Sequence, residues 1–146
     1  MKIIVMAAML ILSLPALATA GGPTPVGVWR VIGDVSGEAE ALVRIDEHDG
    51  VYEGTIVEVF ARPGVAPDSR CELCPGDRKD RPVKGLTILT GLVRHGDQYD
   101  GGEILDPDSG EVYRCTVRFS ADNDRLFVRG YLGFAIFGRT QTWLRQ

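Results

Sequence analysis

The chain has 146 residues and a formal net charge of −4, with 45% hydrophobic and 25% charged side chains. That length and composition fit one compact domain with a buried core and exclude a multidomain machine or a disordered chain. The acidic balance leaves no electrostatic footprint for nucleic acid or for an anionic lipid surface.

Met1 to Ala20 reads as an export signal. Lys2 supplies the charged start, Ile3 to Leu14 the apolar stretch, Pro15 a break, and Ala18-Thr19-Ala20 the small-x-small cleavage pattern. Cleavage is expected after Ala20, leaving residues 21–146 as a single β-barrel domain. The apolar stretch is shorter than the roughly 20 residues a spanning helix needs, and no later segment is apolar for long enough. The expected product has no transmembrane segment and resides in the periplasm or outside the cell, where disulfides persist.

After a Gly/Pro-rich entry (Gly21 to Pro25), short apolar runs alternate with turn signals, and none sustains a helical period. The runs predict strands over Gly27 to Ile32, Ala41 to Asp46, Val51 to Phe60, Thr87 to Arg94, Gln98 to Leu105, Val112 to Ser120, Arg125 to Tyr131 and Gly138 to Leu144. His48-Asp49-Gly50, His95-Gly96-Asp97 and Asp122-Asn123-Asp124 are compact links of the kind that join antiparallel neighbours. The prediction is an all-β fold: an eight-stranded antiparallel up-and-down barrel, closed so that no sheet edge is exposed, with a two-sheet β-sandwich as the alternative. All 18 glycines lie beyond the signal, about twice the ~7% average usage, as strongly curved sheets require.

In a closed meander, alternate connections fall at opposite ends. The short polar turns near Asp46 to Gly50, His95 to Asp97 and Ala121 to Asp124 mark a closed end. Gly33 to Glu40, the long Ala61 to Leu86 connection, Asp106 to Gly110 and the apolar Leu132 to Phe137 link gather at the other, where a working site is expected. Closure would also bring Trp29, near the start of the first strand, beside Arg145 at the end of the last. A stacked pair there would plug the barrel base. This Gly-x-Trp opening with a terminal Arg resembles the lipocalin and broader calycin barrels, which implies a cavity without specifying a ligand.

Three ordered blocks carry a more specific resemblance: Cys71-Glu72-Leu73-Cys74-Pro75-Gly76-Asp77-Arg78-Lys79-Asp80-Arg81-Pro82; Ile104-Leu105-Asp106-Pro107 with Gly110 and Tyr113; and Arg129-Gly130-Tyr131-Leu132-Gly133 followed by Gly138-Arg139-Thr140-Gln141-Thr142-Trp143. Together they resemble a family of exported bacterial proteins, domain of unknown function 2147. The resemblance implies an exported calycin-like barrel and transfers no catalytic residues. Where that family often has paired acidic residues, this chain has Gly33 beside Asp34.

Cys71-x-x-Cys74 admits a structural local disulfide, a thiol redox site or a metal site. An oxidising compartment favours the first. Redox motifs of this type open a helix within a βαβ unit, and none is predicted here. Zinc usually needs four Cys/His ligands, whereas the chain offers three Cys and the distant His48 and His95, so no metal is expected. Cys115 shares strand parity with Tyr113, Val117 and Phe119 and is expected to be a buried thiol, although spacing leaves its pairing with Cys71 or Cys74 open.

Arg129 and Arg139 fall toward the long-loop end, where a guanidinium could hold an anionic ligand head or form an internal salt bridge to Asp34 or Asp106. Phe134 and Phe137 belong to an apolar link that could line a pocket or complete the core. The candidate ligand-binding set is therefore Asp34, Asp106, Arg129, Phe134, Phe137 and Arg139. No catalytic residue is assigned, because no nucleophile elbow, phosphate loop or dinucleotide fingerprint is present, and no cofactor is expected. The leading expectation is a barrel binding a small hydrophobic or amphipathic, including anionic, ligand. The alternatives are an envelope protein-interaction module with a filled barrel and a CxxC thiol redox protein.

Overall fold

The computed structural model describes residues 22–134 and 138–146. Eight strands run in chain order: β1 (Gly27–Ile32), β2 (Ala39–His48), β3 (Val51–Val59), β4 (Thr87–His95), β5 (Gln98–Leu105), β6 (Val112–Phe119), β7 (Arg125–Tyr131) and β8 (Arg139–Arg145). Each pairs antiparallel with the next, and β8 returns to β1, closing the barrel. That closure runs from Trp29 opposite Arg145 to Ile32 opposite Thr142. It excludes the two-sheet sandwich.

The period-two pattern explains the core. Trp29 and Val31, Val43 and Ile45, Cys115 and Val117, and Leu126 and Val128 alternate inward and are buried. The wall bends where register shifts occur, as between Tyr99 and Gly102 on β5. A Cβ on Gly102 would sit 2.4 Å from the Thr90 carbonyl oxygen, so the backbones of β4 and β5 can approach there only because this residue is glycine. The β2–β3 hairpin turns on Asp49 and Gly50, both at positive φ (52° and 80°), as a two-residue hairpin turn demands.

The interior has two unlike halves. At the closed end Trp29, Phe119, Tyr99 and Tyr52 form a chain of edge-to-face contacts with ring centroids 4.9–6.3 Å apart. The segment before β1 seals this end: Trp29 Nε1 donates to the Pro25 carbonyl at 2.7 Å and the Tyr99 hydroxyl to the Pro23 carbonyl at 2.9 Å. The Arg145 guanidinium lies 4.2 Å from the Trp29 ring centroid, so the barrel base is plugged by the predicted cation–π pair. The other half of the barrel is hollow.

Candidate functional site

The hollow is a cavity of about 410 Å³. Its lower wall is apolar, built from inward residues that include Val31, Val43, Ile56, Ile88, Val128 and Trp143. Its mouth is made by all four connections of the long-loop end: Asp34 and Val35 from β1–β2, Arg62, Val65 and Val83 from β3–β4, Asp106 to Asp108 from β5–β6, and Leu132 from β7–β8. The up-and-down order thus gathers four loops, distant in sequence, around one opening.

Two ion-pair systems cross that opening. Arg139, at the start of β8, donates through Nε to Asp34 Oδ2 at 2.8 Å and through Nη2 to Asp34 Oδ1 at 2.6 Å. This forked bond from Arg139 holds the Asp34 carboxyl below its ordinary value against a smaller opposing effect of burial, and Asp34 in turn raises the guanidinium. Asp34 therefore takes up its proton at lower pH than an ordinary aspartate, and the pair opens as it does so. Arg62 hydrogen-bonds Asp108 and lies 3.9 Å from Glu40, tying the long loop to β2 and to the β5–β6 turn. Four carboxylates (Asp34, Glu40, Asp106, Asp108) and two guanidiniums (Arg62, Arg139) line the cavity, so its mouth is acidic, and both guanidiniums already have carboxylate partners. Asp106 Oδ1 accepts the backbone N–H of Asp108 at 2.9 Å, which shapes the turn. Tyr113 also lines the cavity, and its hydroxyl donates to Glu111, which raises the phenol.

Cys71 and Cys74 form a disulfide, and Cys115 is a free buried thiol pushed up to about 12 by burial. The disulfide loop is seated against the β5–β6 turn. Cys71 Sγ lies 3.3 Å from the Pro107 carbonyl oxygen, and a Cβ on Gly110 (φ +75°) would stand 2.0 Å from the Leu73 oxygen, so the two backbones touch. With Cys71 and Cys74 both buried, the bond is an internal staple of the mouth. Replacing both cysteines by serine is expected to speed amide exchange across residues 61–86 while the strands keep their protection, at a cost of about 2 kcal/mol for so short a ring. Exchange rising equally in the strands would contradict a local role.

The predicted site residues are only partly brought together. Asp34, Asp106 and Arg139 line the cavity. Arg129 does not: it shares the outer face of β7 with Phe127, where Nη1 donates to Thr140 Oγ1 at 3.0 Å, because Leu126 and Val128 occupy the inner face. Phe134 is 77% exposed on the rim, outside the lining, while Leu132 takes the lining position in that link. Phe137 lies outside the described residues. Sequence reasoning missed Glu40, Arg62, Asp108 and Gln141. Glu40, Arg62 and Asp108 fall in connections expected at this end, and Gln141 left a signal of its own, being two residues from Trp143 on the same strand and so on the same face.

A family model described as "Uncharacterized protein conserved in bacteria (DUF2147)" matches residues 27–145, the whole barrel. The chain belongs to the DUF2147 family. A comparison with curated proteins gives no match. Among solved structures, the DUF2147 barrel is similar to the protein HP1028 of Helicobacter pylori, described as belonging to the lipocalin family, with 21% identity and a TM-score of 0.69 over 83% of this chain and 82% of that one. At that identity the likeness shows the fold: a lipocalin-like barrel.

Proposed function

We propose that this DUF2147 barrel binds a small apolar or amphipathic molecule in its open half, after export to the periplasm or beyond. The observation that carries the reading is the half-filled interior. Aromatic side chains pack the closed end, yet an apolar-walled space of about 410 Å³ stays open at the other, within the range of small-molecule sites. The exposed apolar rim residues Val35 and Leu132 give such a molecule a low-polarity entry.

The mouth discriminates by charge. An anionic head, the expectation from Arg129 and Arg139, would have to displace Asp34 from Arg139 or Asp108 from Arg62 in a site that already carries more carboxylates than guanidiniums. An uncharged or cationic head meets no such competition. Decan-1-ol, decylamine and decanoate share one chain length and differ in charge. The first two are expected to bind more tightly than decanoate at pH 7, and Asp34→Asn should narrow the difference. Decanoate binding tightest would contradict this and restore the anionic head. The buried disulfide gives no support to thiol redox chemistry, since a catalytic thiol must be reachable.

A further inference from the structure

The inner face of β8 carries Arg139 at the mouth, Gln141 at mid-depth and Trp143 at the floor, and all three line the cavity. Trp143 is fully buried, and its indole N–H, which can only donate, is taken by Gln141 Oε1 at 3.3 Å. That bond fixes the amide orientation: the oxygen faces the indole, and Nε2 is left with two N–H donors. No partner for Nε2 occurs among the described residues. Nor is Nε2 a sealed, orphaned atom, because no buried side-chain nitrogen or oxygen there lacks a partner. It is therefore accessible, on a side chain that lines the cavity. Its surroundings are apolar: Val128 stands opposite Gln141 in the β7–β8 register, and Val31 opposite Trp143 in β1–β8.

We infer that Gln141 is a ligand-recognition residue whose amide N–H donates to a neutral acceptor, a carbonyl or ether-type oxygen, within the otherwise apolar body of the bound molecule. The ligand class is thereby narrowed from plain hydrocarbon to an apolar compound carrying an oxygen acceptor partway along it. A site built to donate a hydrogen bond discriminates against the analogue lacking the acceptor, because the donor is then left unpaired and shielded from water. The inference rests on the reading of the barrel as a small-molecule binder.

Butyrophenone and n-butylbenzene share one carbon skeleton and differ only in the carbonyl. Calorimetric titration of both against the wild type, Gln141→Glu and Gln141→Met isolates the contact as a double cycle. Gln141→Glu at pH 8 keeps an oxygen for the Trp143 indole and removes the donors, so it separates recognition from support of the floor, and Gln141→Met removes both functions. The ketone-over-hydrocarbon affinity ratio is expected to fall about 2- to 12-fold in both variants. If both compounds bind and the ratio is the same in all three proteins, the role of Gln141 is overturned and the binding cavity stands. If neither compound binds the wild type, the cavity reading fails and the inference with it.

Discussion

Trp29→Ala is expected to destabilise the barrel by about 3–5 kcal/mol, read as a lowered midpoint of urea unfolding. The side chain is fully buried, its indole donates to the Pro25 carbonyl, its ring meets Phe119 edge-on, and Arg145 stacks over it. A loss of that size is a large share of the 5–15 kcal/mol typical of a domain. Arg145→Ala removes only the stacked cation and should cost about 0.5–2 kcal/mol. Both effects arise at the closed end, so whatever fraction remains folded should bind an apolar probe with unchanged affinity. A Trp29→Ala loss below about 1 kcal/mol would show that the base plug does not hold the barrel together.

Ala41→Trp should have the largest effect on binding. Ala41 is half-buried on β2, lines the cavity, and pairs with Val31 on one side and Val59 on the other. A tryptophan there would project its indole into the open space. Overpacking costs about 1–3 kcal/mol where a core is already full, and here the added ring enters a void, so the expected change in stability is small. Affinity for a neutral probe such as N-phenyl-1-naphthylamine, measured by its fluorescence, is expected to drop about 100-fold, equivalent to about 2.8 kcal/mol. Undiminished binding with a folded barrel would place the ligand elsewhere.

The eight strands were legible because each carries a period-two pattern bounded by Gly- or Asp-containing turns, and Trp29 with Arg145 already pointed to closure. Strand ends differed by a residue or two; β2 begins at Ala39 instead of Ala41 and ends at His48 instead of Asp46. The side of β7 was harder. Phe127, Arg129 and Tyr131 share one face, and Leu126 with Val128 the other, so an apolar run such as Leu126-Phe127-Val128 reads equally well either way until the barrel is closed. The salt bridge between Asp34 and Arg139 was foreseen as one of two uses for that arginine. The connections predicted to carry Glu40, Arg62 and Asp108 were placed at the mouth, but the pairing of these residues was not legible, because it depends on the path of a long loop that has no period. Gln141 was within reach: a polar side chain in phase with Trp143 on an inward face signals a recognition contact or a structural one, and the two are told apart only once the cavity is seen.

Whether the barrel holds a ligand can be read by native mass spectrometry of the protein isolated gently from its native host. The expected result is a mass above that of the bare chain, matched by one small molecule per barrel that is released on solvent extraction and is lost in Ala41→Trp. A bare-chain mass in repeated mild preparations, with nothing recovered by extraction, would contradict a ligand-binding barrel.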